Sequence, residues 1–235
     1  MRRLLALAPL ALLATTLPAW AGTISIAGRG EVQAAPDMAM INSGVTSQGA
    51  TAREALDANT AAMTELLDEL KAAGIAARDI QTTGFSVNPN YVYSDARDSN
   101  GYSQPPKING YQVSNTVTVI VRDLKELGTI LDRSVTVGAN TVNGVTFSVA
   151  DPSGLLNEAR KKAFADARAK AELYAETAGT TLGDLESIRE SQSFDAPQPY
   201  AMYARAEAAS APVPVEAGEL TFAITVDVEW DLGND

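Results

Sequence analysis

The sequence predicts an α+β fold, a mostly antiparallel sheet with helices packed on one face, and three observations lead there. Segments in which apolar and polar residues alternate recur along the chain, each long enough for a strand. Three longer segments repeat their apolar residues at helical spacing and bear start and stop signals. Between the helices the strands come largely in pairs, the order of an antiparallel sheet covered on one side.

The elements follow in chain order. Ile24, Ile26, Gly28, Gly30 and Val32 alternate with Ser25, Ala27, Arg29 and Glu31, which predicts a strand broken at Ala35-Pro36-Asp37. A second strand runs from about Met38 to Ser47, with Ala39, Ile41, Ser43 and Val45 on one face. Thr51-Ala52-Arg53-Glu54 fits a capping box, in which hydroxyl and carboxylate satisfy free amides at a helix start. Leu56, Met63, Leu66, Leu67 and Leu70 continue that helix to a glycine stop at Gly74. Ile80–Tyr93 and Gly110–Val121 read as long strands. Asp123-Leu124-Lys125-Glu126 resembles a second capping box, opening a helix with Leu127, Ile130, Leu131 and Val135 that closes at Gly138. Thr141–Ala150 is a strand. Asp151-Pro152 then sets a capping acid before a proline preorganised for the first helical turn, and the long helix runs to about Ala178 with Gly179 as its stop. Strands from Leu185 to Phe194 and Leu220 to Leu232 complete the chain. In the last, Leu220, Phe222, Ile224, Val226, Val228, Trp230 and Leu232 share a face.

Strand–helix–strand–strand occurs twice, over 37–121 and 141–232, with Gly44-Val45-Thr46 and Gly144-Val145-Thr146 before the two helices. That order leaves open whether the two halves are a true duplication.

Composition excludes many activities. The 235 residues hold 18 Lys+Arg against 29 Asp+Glu, a net charge of -11, with no cysteine and no histidine. Disulfides, thiol nucleophiles, zinc ribbons, histidine-based catalytic triads and imidazole metal sites are therefore ruled out. An acidic chain is also a poor partner for nucleic acid, whose phosphates need clustered Lys and Arg.

Residues 1–21 read as a secretory signal peptide. Met1-Arg2-Arg3 is cationic, Leu4 to Leu17 is apolar, and Ala19-Trp20-Ala21 is a small-x-small cleavage site. The apolar run would span only ~21 Å as a helix, short of the ~30 Å hydrocarbon core. Cleavage would leave 22–235 as the mature domain, with no transmembrane segment and an expected location in the periplasm, where outer-membrane association and an unknown envelope partner stay open.

Across the mature chain an ordered set of short segments resembles the SIMPL-domain family, the YggE-like exported proteins of bacteria. The segments are Ile26-Ala27-Gly28-Arg29-Gly30-Glu31, Ala35-Pro36-Asp37, Asp79-Ile80-Gln81-Thr82, Pro89-Asn90-Tyr91, Gly110-Tyr111-Gln112-Val113-Ser114-Asn115, Gly138-Ala139-Asn140, Gly144-Val145-Thr146-Phe147 and Ala165–Glu172. The resemblance implies an exported α+β protein that assembles into ring- or channel-like homo-oligomers, with links to oxidative-stress tolerance and, in pathogens, immunogenicity. It implies no catalytic residues, no cofactor and no metal, and none is assigned.

Read on their own, the candidate sites divide as follows. Tyr91, Tyr93, Tyr102 and Tyr111 surround a Pro- and Gly-containing excursion, and Tyr200 and Tyr203 lie in a second. Tyrosine offers large amphipathic contact area, so these six are candidate interface residues, with mobile loops as the alternative. Ala159, Ala163, Ala167, Ala171 and Ala175 form a small-residue stripe suited to close docking on the sheet. Glu158–Lys162 and Asp166–Lys170 are spaced as surface ion pairs. Asp227, Glu229 and Asp231 alternate on the last strand and read as a solvated edge, with weak cation binding or a carboxylate hydrolase as lesser readings. Gly28-Arg29-Gly30 lacks the third glycine of a dinucleotide fingerprint, Gln33 standing there, and reads as a bulge or kink. The functional expectation is a non-enzymatic, self-assembling exported protein whose part in stress tolerance is indirect. The alternative is a binding module for a peptide, a glycan or a small hydrophobic ligand.

Overall fold

Seven strands and three helices follow the predicted order in the computed structural model, which describes residues 22–93, 97, 102–191 and 213–233. They are β1 (Gly22–Ala34), β2 (Met38–Gly49), α1 (Ala52–Ala72), β3 (Ile80–Val92), β4 (Lys107–Val121), α2 (Leu127–Thr136), β5 (Thr141–Ser148), α3 (Ser153–Ala178), β6 (Thr181–Ser191) and β7 (Leu220–Gly233). The expected α+β class holds, with the strands divided between a three-stranded sheet, β1-β7-β6, and a four-stranded sheet, β3-β4-β2-β5. The described residues form two units, one of 22–31, 158–191 and 223–233 and the other of 32–157 and 213–222.

In the first unit β6 and β7 pair antiparallel, with Leu182 opposite Leu232, Leu185 opposite Trp230 and Ile188 opposite Val228. The apolar face of β7 meets the alanine stripe of α3. Ala163, Ala167 and Ala171 pack with Val226, Val228 and Trp230, and the Phe164 and Trp230 rings lie 6.1 Å apart. Small side chains let the helix axis come close, and β1 matches them with glycines. A Cβ on Gly28 would overlap the Ala163 carbonyl and come within 2.6 Å of Ala167 Cβ and N; one on Gly30 would overlap Ala159 O and Ala163 N. Gly28 and Gly30, expected to mark a bulge or kink, admit the α3 backbone, and this close approach accounts for the Gly-x-Gly pattern.

The same helix guards the edge of β1. Lys162 Nζ donates to Glu31 O at 2.9 Å, Arg29 N donates to Asp166 Oδ2 at 2.9 Å, and Lys170 Nζ donates to Ala27 O at 3.3 Å. Residues 27, 29 and 31 point their backbone groups to one side of a strand, so three side chains one helical turn apart replace a neighbouring strand. Asp166 also pairs with Lys170 at 2.6 Å as expected, whereas Glu158 pairs with Lys161 and Lys162 is drawn to β1 instead. Arg160 joins α3 to β6 through a two-pronged contact with Glu190 at 2.9 and 3.0 Å.

The second unit is antiparallel throughout. Ile41 lies opposite Val119 and Ser43 opposite Val117 between β2 and β4, while β5 brings Val145 opposite Ile41 and Phe147 opposite Ala39. These apolar residues alternate onto one face, where Met63, Leu66 and Leu70 of α1 and Leu127, Ile130 and Leu131 of α2 complete the core. Fully burying a side chain such as Leu66, 0% exposed, contributes about 1.5–3 kcal/mol. Thr51 Oγ1 accepts from Glu54 N at 3.2 Å and Glu54 Oε2 accepts from Ala50 N at 3.1 Å, so the cap forms with the carboxylate reaching one residue further back than a standard box. Gly74, at φ +88°, ends α1 with Ile75 N donating to Leu70 O. The second capping box is different in fact. Asp123 Oδ1 accepts from Lys125 N in a turn, and α2 begins only at Leu127 with no side-chain cap. The Asp closes on the amide two residues ahead, and a separate turn takes up the segment expected to be helix.

Asn59, Ser43 and Ser134 are polar residues buried in this unit. Asn59, 1% exposed, donates from Nδ2 to Val45 O at 2.8 Å and Val113 O at 3.3 Å, fixing α1 to β2 and β4. The buried amide thereby ties the helix to the backbone of both strands from within the core.

Candidate functional site

β3 is an edge strand with an unusual composition. From Ile80 to Val92 it holds no charged residue, in a chain of net charge -11. Its pairing with β4 sets which side chains lie where. Ile80 and Thr82 stand opposite Val119 and Val117 on the helix side, and a bulge between Thr82 and Gly84 then shifts the alternation. Beyond it Phe85 stands opposite Asn115 and Val87 opposite Val113, so odd-numbered residues now face the helix side. Ile80 is packed against the core, whereas Phe85 and Val87 remain 57% and 41% exposed. The bulge turns an apolar pair toward the helix layer at a point on the edge where, among the described residues, no helix buries it.

The aromatic arm continues this surface. Tyr91 pairs with Ile108 across the end of the ladder, and both are about half exposed, at 50% and 52%. Tyr111 sits opposite Pro89 and is half-buried, while Tyr93 and Tyr102 are exposed beyond the strand ends. Four of the six candidate tyrosines thus belong to one two-stranded arm. Tyr200 and Tyr203 lie outside the described residues. Sequence reading missed Phe85, Val87 and Ile108; the absence of charge between Ile80 and Tyr93 was there to find the first two.

The other edge of this sheet has the same character. β5, Thr141–Ser148, is also free of charge, with Val142 exposed and Val145 and Phe147 half-buried on the core side. The opposite face is uncharged along β2 and the facing part of β4, with hydroxyl and amide groups beside Met40 and Ile120. Thr118 Oγ1 donates to Asn42 Oδ1 at 2.6 Å, and Thr46 Oγ1 lies 3.2 Å from Ser114 Oγ and 3.3 Å from Thr141 Oγ1.

Several charged groups are engaged in structure. Asp79, 6% exposed, accepts from Arg122 Nε at 3.0 Å and from its NH2 group at 2.8 Å, which holds its carboxyl below the ordinary carboxylate range. This pair borders a cavity of about 310 Å³ lined also by Ile75, Arg78, Glu126 and Ile130. On the three-stranded sheet the Asp231 carboxylate beside Glu186 pushes the Glu186 carboxyl upward, through charge first and a shared hydrogen bond second. Glu229 accepts from Ser187 Oγ at 3.3 Å, and Asp227 is exposed opposite Arg189. Among the described residues no three Asp or Glu side chains come together to hold a metal ion, and no helix is long and apolar enough to cross a membrane.

A 26 kDa periplasmic immunogenic protein of Brucella melitensis is 44% identical over 222 residues, covering 93% of this chain and 86% of that protein. Proteins named YggE, uncharacterised, from Edwardsiella ictaluri and Escherichia coli K12 are 32% and 29% identical, over 87% and 89% of this chain and 84% and 82% of theirs. The model of the SIMPL family, described as a protein of unknown function (DUF541), matches residues 24–230. With that match spanning both sheets and all three helices, the chain belongs to the SIMPL family.

Proposed function

We propose that this is a non-enzymatic periplasmic protein that works by assembling with copies of itself. The observation behind this reading is the charge-free β3 edge with Phe85 and Val87 uncovered, continued by Tyr91 and Ile108. An exposed apolar edge strand is a template for another chain, and natural edges are normally blunted by charge, proline or a covering element. Among the described residues, β3 has none of these between the Thr82–Gly84 bulge and Pro89. A chain of net charge -11 repels its copies across most of its surface, so an uncharged patch is where they can meet.

The periplasmic location is supported by the signal-like start and by the name of the Brucella relative. The part in stress tolerance is indirect. With no cysteine and no histidine, the chain's oxidisable sulfur is five methionines, which scavenge stoichiometrically and do not turn over peroxide unaided.

Light scattering on the mature protein tests the reading, with Val87→Lys beside it. The expected result is a multimer for the native chain and a monomer for the variant, both with native circular dichroism. A native-chain monomer at micromolar concentration would overturn it, and would move attention to ligand capture by the exposed Tyr93 and Tyr102.

A further inference from the structure

We propose that copies join by extending the four-stranded sheet, the β3 edge of one chain pairing antiparallel with the β5 edge of the next. This rests on the self-association proposed above and specifies its contact.

The two sheets treat their edges in opposite ways. In the three-stranded sheet both edges are defended. β1 has its outward backbone groups taken by Lys162, Asp166 and Lys170, and β6 bears Asp184, Glu186, Arg189 and Glu190. In the four-stranded sheet both edges lack charge altogether, β3 from Ile80 to Val92 and β5 from Thr141 to Ser148. A contact between two β3 strands would leave β5 open and unexplained. A β3-to-β5 contact uses both edges in every copy.

Strand direction permits it. β3 and β2 both run antiparallel to β4, and β5 runs antiparallel to β2, so β5 is antiparallel to β3. Displacing a copy sideways therefore sets β5 beside β3 in the same antiparallel sense as every other pair in the sheet. Side-chain order fits as well. Phe85-Ser86-Val87-Asn88 and Val145-Thr146-Phe147-Ser148 both read apolar, polar, apolar, polar. In each segment the apolar residues lie on the helix side, as their partners Asn115, Val113, Ile41 and Ala39 show. Placing Phe85 opposite Phe147 and Val87 opposite Val145 aligns the apolar pairs and sets Ser86 opposite Thr146 on the uncharged face. A slip by one residue would set apolar against polar throughout. The interruptions also correspond: β3 is limited by its bulge and Pro89, and β5 by Gly144 at φ +75°. Because the two surfaces differ, the contact propagates from chain to chain and builds a closed ring or an open polymer, where a β3–β3 contact would stop at a two-fold dimer.

Engineered thiols report the contact cleanly, since the chain has no cysteine of its own. Directly opposed strand residues hold their Cβ atoms about 4.5–5.5 Å apart, within reach of a disulfide or a short bismaleimide. The full mature chain is used as Ser86→Cys, as Thr146→Cys and as the double variant; both sites are exposed, so folding is preserved. The proposal expects neither single variant to cross-link alone, an equimolar mixture to give dimers containing one of each, and the double variant to give a ladder of multimers. Dimers from Ser86→Cys alone would overturn it in favour of β3–β3 pairing. A multimer by light scattering with no cross-link in any combination would also overturn it, while leaving self-association standing. A monomer by light scattering would remove both.

Discussion

Gly28→Ala adds one methyl group where the α3 backbone lies on β1, and its cost can be worked from the structure. The new Cβ overlaps the Ala163 carbonyl and approaches Ala167 Cβ and N to 2.6 Å. Carbon contacts settle at about 3.5–4.0 Å, so α3 must retreat by roughly 1 Å. That retreat would lengthen the Lys162–Glu31 and Asp166–Arg29 bonds from 2.9 Å to roughly 3.9 Å, beyond hydrogen-bonding reach. Overpacking of this kind costs about 1–3 kcal/mol, and the exposed polar ties add only tenths each. A loss of about 2–3 kcal/mol is expected, lowering the urea midpoint by about 1 M. Trp230 packs on Phe164 in this unit and is the only tryptophan beyond residue 21, so its fluorescence reports the event locally. Gly154→Ala is the matched control, with nothing within 4 Å of its added Cβ, and should stabilise by about 0.4–1 kcal/mol. An unchanged Trp230 midpoint in Gly28→Ala would refute the close-docking account of the alanine stripe.

Three further outcomes follow from the same contacts. Asn59→Ala strips the Val45 and Val113 carbonyls of their buried donor and should cost about 1–3 kcal/mol, read as a lower urea midpoint by circular dichroism; an unchanged midpoint would mean the carbonyls are satisfied some other way. The Asp79 carboxyl is held low by Arg122, so its contribution is present above the unfolded carboxylate value and is lost as pH falls through the folded one. Acid titration of Asp79→Asn should therefore show a shallower stability loss below about pH 4 than the native chain, and parallel curves would contradict this. Glu186 has the opposite sign: its carboxyl is raised beside Asp231, so repulsion weighs against folding at neutral pH and eases as pH falls through the raised value. Glu186→Gln should raise the melting temperature at pH 7 and lose that advantage in acid; no gain at pH 7 would rule out the repulsion.

What could be read from the chain, and what could not, has physical causes. α1, α3 and the last strand were legible because each combines a clear period with local punctuation: Thr51 and Gly74 bound α1, Asp151 and Gly179 bound α3, and seven apolar residues alternate along β7. The start of α2 was misread because Asp123 can satisfy an amide in a turn as readily as in a cap. Gly28 and Gly30 were seen, but their reason lies in a helix more than a hundred residues away, which no local pattern contains. Phe85 and Val87 stayed hidden because the bulge at Thr82–Gly84 breaks the period-two pattern in mid-strand. The division of strands into two sheets was equally illegible, since alternation reports which residues share a face and says nothing of which strand lies alongside.

The mass of the mature chain in solution, taken by light scattering across a concentration series with Val87→Lys in parallel, tests self-association most directly. A native-chain mass several times that of one subunit, falling to one subunit in a variant that keeps its circular dichroism, is the predicted result. A single-subunit mass for the native chain at every concentration, or a multimer untouched by lysine at position 87, would contradict it.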